Sequence, residues 1–197
     1  SGKSGVFIVG KGDFRLFNHL IVAPGYAADR AHGIVWLIGN NGTIFDNTVV
    51  GNDVLIDSGI RIRDRKTGAV YDNIATGFSR FGIWEETGLT GVSIYNNLIE
   101  KEVANVSFVN PASFDFHLKA SSPAVDKGSA SGYATVDLDD KSRPQGTRSD
   151  IGAFEFGGAI GPTPTPTPVD IKVLLSAYAT SQAAFDANNA GKVNSFD

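Results

Sequence analysis

Residue types able to do chemistry gather in two stretches of this 197-residue chain. The first is Gly59-Ile60-Arg61-Ile62-Arg63-Asp64-Arg65-Lys66, the one basic cluster in the sequence. Alternation along a strand turns Ile60 and Ile62 toward a core and Arg61 and Arg63 outward. Cations on one face can meet a carboxylate, and an aromatic ring beside them can stack on a sugar. The second stretch is Asp186-Ala187-Asn188-Asn189-Ala190-Gly191-Lys192-Val193-Asn194-Ser195-Phe196-Asp197. Oxygen side chains stand at loop positions 1, 3, 9 and 12 and Gly191 at position 6, the layout of a calcium loop. Asp186, Asn188, Asn194 and Asp197 are therefore candidate metal ligands.

Other site chemistries find no support. The three His (His19, His32, His117) are scattered without metal-ligand spacing, and no Gly-x-Ser-x-Gly elbow or phosphate loop occurs. Asp29, Arg30 and His32 read as a turn before a strand. Glu85 and Glu86 are adjacent, so on a strand they face opposite ways and make a poor glycosidase pair. The absence of Cys removes thiolate sites and disulfides. A net charge of −4 and a pI near 5.3 argue against nucleic-acid and anionic-membrane partners. No apolar window is long enough for a transmembrane segment.

The elements that must position these residues come from a repeat. An aromatic, a polar residue and then His or Asn recur at Phe17-Asn18-His19, Phe45-Asp46-Asn47, Tyr71-Asp72-Asn73 and Tyr95-Asn96-Asn97, with spacings of 28, 26 and 24. A Gly-apolar pair recurs at Gly5, Gly33, Gly59 and Gly82, with spacings of 28, 26 and 23. Val and Ile number 32 against 10 Leu, which favours strands. A period near 25 with two or three strands per repeat predicts an all-β parallel solenoid over residues 1–110. Equivalent residues then stack about 4.8 Å apart. Phe17, Phe45, Tyr71 and Tyr95 form one stack, and Asn47, Asn73 and Asn97 form an amide ladder with His19 in its first place. Aligning the coils on the glycines sets Val35, Arg61 and Trp84 in one outward column and Leu37, Arg63 and Glu86 in the next. Arg61, Trp84, Arg63 and Glu86 become the candidate carbohydrate-binding residues.

Beyond residue 110 the repeat breaks. The run "DFHLKASSPAVDKG…DLDDKSRPQG…DIGAFEF" resembles the C-terminal end of bacterial right-handed parallel β-helix proteins, secreted or surface proteins often grouped with polysaccharide lyases. That resemblance implies a right-handed helix of strands, with 111–158 as a cap over its final coil. It also implies an extracellular or cell-surface protein handling a polysaccharide, either binding acidic carbohydrate or cleaving it as a lyase or glycoside hydrolase. In such lyases a Lys or Arg takes the proton next to a carboxylate, so Arg61, Arg63 and Lys66 are the catalytic candidates, with Arg65 of the same type. Residues 159–168 read as a Pro/Thr linker. Residues 169–197 resemble part of a dockerin, a short helix carrying Ile171, Leu174, Leu175 and Tyr178 followed by the calcium loop. That family plugs into a cohesin-like partner. Ala190 replaces an oxygen ligand and only two ligands are charged, so the expected calcium affinity is weak, about 10⁻⁴–10⁻³ M, or absent. The chain reads as a piece of a longer or processed protein.

Overall fold

Four successive trios of short strands carry the repeat. The first trio is β1 (Ser4–Ile8), β2 (Phe14–Phe17) and β3 (Leu20–Val22); the second is β4 (Ala31–Trp36), β5 (Asn41–Phe45) and β6 (Thr48–Val50). The third is β7 (Ile56–Ile62), β8 (Thr67–Tyr71) and β9 (Ile74–Thr76), and the fourth β10 (Phe81–Glu85), β11 (Val92–Tyr95) and β12 (Leu98–Glu100). Each strand pairs in parallel with its equivalent one repeat away, which gives three sheets ordered β1-β4-β7-β10, β2-β5-β8-β11 and β3-β6-β9-β12. Such stacked parallel strands are compatible with a β-helix or solenoid. This computed structural model describes residues 4–8, 12–22, 31–37, 41–51, 56–63, 67–86 and 91–157. All belong to the first of the two units into which the chain divides, Ser1–Gly161 and Pro162–Asp197. The linker, the tail helix and the calcium loop lie outside the described residues.

Both sequence markers have a physical cause. Between the second and third strands of each trio the chain turns on two residues. The first of them, Asn18, Asp46, Asp72 or Asn96, is left-handed, with φ of 54°, 50°, 52° and 50°. Short polar side chains tolerate that conformation better than any others except glycine. The second is the ladder position. Asn73 Nδ2 donates to Ile44 O (2.9 Å), Tyr71 O (2.8 Å) and Asn97 Oδ1 (2.9 Å), and Asn47 Nδ2 donates in turn to Asn73 Oδ1 (2.9 Å). His19 joins through its backbone N–H, which donates to Asn47 Oδ1 at 3.1 Å. The aromatic before each turn stacks on the next at 5.0, 5.3 and 5.0 Å between ring centres.

The glycine column is set by a close approach. Ile21, Val49, Ala75 and Ile99 are in register along the third sheet and face Gly5, Gly33, Gly59 and Gly82 on the first. A Cβ on Gly5 would lie 2.7 Å from Ile21 Cγ2, and one on Gly33 or Gly82 would strike Val49 or Ile99. Only glycine fits there. Inside the coils Ile34, Trp36, Ile44, Ile60, Ile62 and Val70 form the main core.

The expected cap sits elsewhere than over the last coil. The coil strands end at Glu100 and a 3₁₀ turn, Val103–Val106, leads to an antiparallel pair, β13 (Phe108–Asn110) and β14 (Asp115–Leu118). Phe108, Phe116, Leu118, Ile151 and Phe154 pack against Val50 and Ile74 on the outside of the third sheet. With apolar residues on both faces, β6 and β9 are wholly buried. The interior residues Ile94 and Ile99 of the last coil meanwhile stay 39% and 50% exposed. From there the chain runs back along the stack, held by the left-handed residues. Asn96 Nδ2 donates to Lys127 O (2.9 Å), Asp72 Oδ2 accepts from Ser129 N (2.9 Å), Asp46 Oδ2 accepts from Ala134 N (2.7 Å), and Asn18 Nδ2 donates to Val136 O (2.6 Å). The C-terminal segment is thus a lateral strap across all four coils. Burial pushes the Asp46 carboxyl up to about 7, against the pull of Arg143 and the Ala134 N–H.

The residues of the C-terminal motif hold the strap. Asp137 Oδ1 accepts from the backbone N–H of Asp139 and Lys141, its Oδ2 accepts from that of Glu155, and Asp150 accepts from Asp126 and Phe156. His117 joins β14 to the 137–141 loop, with Nδ1 2.6 Å from Asp115 Oδ1 and Nε2 2.5 Å from Asp139 Oδ2. Burial works to lower the His117 pKa, but the Asp139 and Asp115 carboxylates prevail and raise it. A raised folded-state value means that the clasp contributes fully below the unfolded value near ~6.5 and is lost as pH rises through the folded one. Thermal melts from pH 5.5 to 8.5 should therefore show the native protein losing more stability toward the alkaline end than His117→Gln. Parallel profiles for the two proteins would disprove the clasp.

Candidate functional site

The first sheet presents the basic cluster. Register sets Val35, Arg61 and Trp84 side by side, and the backbone bonds Arg63 N to Trp36 O (2.9 Å) and Glu86 N to Ile62 O (3.1 Å) continue the alignment into the next column. The glycine frame anticipates both columns. Val35 is buried, so among the described side chains the exposed part of its column belongs to Arg61 and Trp84. Arg65 and Lys66 lie outside the described residues, as do Asp29 and Arg30.

Arg61 is the hub. Its Nε and Nη2 donate to Glu86 Oε1 at 3.0 and 2.5 Å, and its guanidinium lies 4.2 Å from the centre of the Trp84 ring. Arg63 Nε lies 3.0 Å from the same Glu86 oxygen, at ion-pair distance but without hydrogen-bond alignment. Burial works to raise the Glu86 carboxyl, but contact with Arg61 and then Arg63 outweighs it and holds the pKa below the usual glutamate range.

His32 completes the cluster, and sequence reasoning missed it. It is a buried residue of β4, not part of a turn, with Nε2 3.0 Å from Arg61 Nη1 and Nδ1 2.7 Å from Ser58 Oγ. Arginine only donates, so His32 Nε2 must accept, and Nδ1–H donates to Ser58. Burial first, then the Arg61 charge, lowers the His32 pKa and keeps the ring neutral. The signal was available in the glycine frame. His32, Ser58 and Phe81 each stand one place before a marker glycine or its register partner, and the sheet pairs them in that order.

Around the hub, Phe81 stacks on Trp84 at 5.5 Å and Arg80 lies 5.2 Å over Phe81 while pairing with buried Asp57 at 3.3 Å. Arg61 and Phe81 already use much of the π-surface of Trp84, so the platform is a cation-aromatic ladder. A separate hollow of about 370 Å³ beside Asp13, Arg15, Asn41 and Thr43 does not touch this cluster. Among the described residues no group of three or more His, Cys, Asp or Glu is placed to hold a metal ion. The candidate ligands Asp186, Asn188, Asn194 and Asp197 lie beyond those residues. Among the described residues no helix is long and apolar enough to cross a membrane. Comparison of the chain with protein-family models, curated proteins and solved structures finds no significant match.

Proposed function

We propose that the protein is an extracellular or surface right-handed parallel β-helix that binds acidic polysaccharide on the outer face of its first sheet. The handedness follows the strong preference of connections between parallel strands of one sheet. The observation that carries the binding reading is the Arg61 constellation, in which Glu86, His32 and Trp84 fix one cation and set Arg63 beside it. A cation held in place before its ligand arrives loses little side-chain freedom on binding. Binding fits this arrangement better than cleavage. A guanidinium has no acceptor, and Arg61 donates to a carboxylate and an imidazole instead of standing ready to take a proton. In the same reading the tail from residue 169 is a dockerin-like module with a weak calcium loop, joining the body to a cohesin-like partner.

Affinity electrophoresis in polygalacturonate tests the proposal. The Arg61→Ala/Trp84→Ala double variant should bind about tenfold or more weakly, since a charge-assisted contact is worth about 1.5–3 kcal/mol. Binding that survives both changes would move the site off this face.

A further inference from the structure

The Arg61 cluster already contains a carboxylate, and among the described residues every side-chain contact it makes falls on one oxygen. Arg61 Nε, Arg61 Nη2 and Arg63 Nε converge on Glu86 Oε1 at 3.0, 2.5 and 3.0 Å. Two guanidiniums face one negative charge, and His32 is neutral, so these groups together carry an excess positive charge.

The two sides of this contact are held unequally. Arg61 keeps two of its three partners, because His32 Nε2 at 3.0 Å and the Trp84 ring at 4.2 Å remain when Glu86 leaves. Among the described residues, the side-chain partners of Glu86 are Arg61 and Arg63 alone. Its residue stands just past the end of β10, and its side chain is 27% exposed against 20% for Arg61. An arriving anion therefore displaces Glu86 more easily than it moves the arginine.

We infer that Glu86 is a stand-in carboxylate, which fills the anion position in the free protein and yields it to the carboxylate of a uronate residue. The inference rests on the acidic-polysaccharide reading and narrows it, from any anionic chain to one bearing planar carboxylates. A uronate presents the same trigonal, singly charged group that the two arginines already accept. Each binding event then exchanges one carboxylate for another, which lowers affinity and rejects sugars that bring no replacement charge. A neutral or methyl-esterified chain would leave Glu86 in place.

Titration calorimetry with polygalacturonate and with its fully methyl-esterified form tests this on the wild-type chain, Glu86→Gln, Glu86→Ala and Arg61→Ala/Trp84→Ala. Melting curves show which variants are folded, and the two Glu86 variants serve as replacements for one another. Removing the competing charge should tighten polygalacturonate binding about two- to fivefold, the equivalent of a partly exposed ion pair. The methyl ester should bind none of the proteins. If the wild-type chain binds polygalacturonate but folded Glu86 variants bind it equally or more weakly, Glu86 positions Arg61 and the inference fails while the reading stands. Equal binding of the methyl ester also overturns it. If neither the wild-type chain nor any variant binds polygalacturonate, the reading itself falls and takes the inference with it.

Discussion

Replacing Arg143 with Met should lower the free energy of unfolding by about 3–5 kcal/mol, the cost of breaking a buried ion pair from one side. Arg143 Nη1 lies 3.1 Å from Glu155 Oε2, and both side chains are 0% exposed. The same guanidinium donates to Asp150 O at 3.0 Å and to Gly152 O at 2.6 Å. Glu155 also accepts from Gln145 N (2.9 Å) and Asp150 N (3.1 Å). Burial pushes the Glu155 carboxyl up, and the Gln145 and Asp150 N–H groups and then the Arg143 charge pull against it. Met fills much of the same volume, so the loss measures the stranded carboxyl and the two carbonyls rather than a cavity. Urea unfolding with an unchanged slope would report it cleanly. Part of the loss should return in Arg143→Met/Glu155→Gln, where the stranded group no longer carries a charge. A single-variant loss under about 1 kcal/mol would place this pair among those that contribute little.

That pair lies in the part of the molecule least legible beforehand. Stacking in register makes equivalent residues neighbours, so the repeat alone exposes the Asn47-Asn73-Asn97 ladder, the Phe17-Phe45-Tyr71-Tyr95 stack and the alignment of Arg61 with Trp84. A single period predicts all three because one physical relation, parallel pairing a repeat away, produces all three. The strap obeys no period. Asp46 meets Ala134 and Asn18 meets Val136 across 88 and 118 residues, and no spacing in the sequence encodes either contact. The polar residue between each aromatic and the following His or Asn carries two roles. In the structure its φ meets the needs of the turn while its side chain grips the strap, and only the first role shows in the sequence.

The placement of residues 111–156 has a similar cause. Closing the final coil would have covered Ile94 and Ile99. The alternating apolar residues of β14, Phe116 and Leu118, find a larger partner in the outer face of the third sheet, where Val50 and Ile74 would otherwise be exposed. Short β-branched runs such as Thr48-Val49-Val50 and Ile74-Ala75-Thr76 show no alternation, the pattern of a strand covered on both sides. Read that way, they signalled a second layer over the third sheet. His32 escaped for a different reason. Its neighbours Asp29 and Arg30 suggested a turn, and only the glycine frame sets it beside Ser58 and within reach of Arg61.

Asn73→Ala should cost about 3 kcal/mol, the upper end of the penalty for a buried polar group stripped of its partner. Asn73 is 0% exposed and stands at the centre of the ladder, with Asn47 before it and Asn97 after. Its amide nitrogen serves Ile44 O, Tyr71 O and Asn97 Oδ1, and its oxygen takes both the backbone N–H (3.2 Å) and the amide (2.9 Å) of Asn47. Alanine can offer none of these. The terminal ladder residue is a control within the same molecule. Asn97 Nδ2 donates to Val70 O (2.9 Å) and Tyr95 O (2.8 Å), but the residue is only half-buried and has no coil beyond it. Water can therefore replace part of what Asn97→Ala removes, and its loss should be about 1 kcal/mol. A gradient from Asn97 to Asn73 in urea midpoints is the signature of a cooperative ladder. Equal losses at the two positions would show that each asparagine stabilises its own turn alone, and that the amides do not couple one coil to the next.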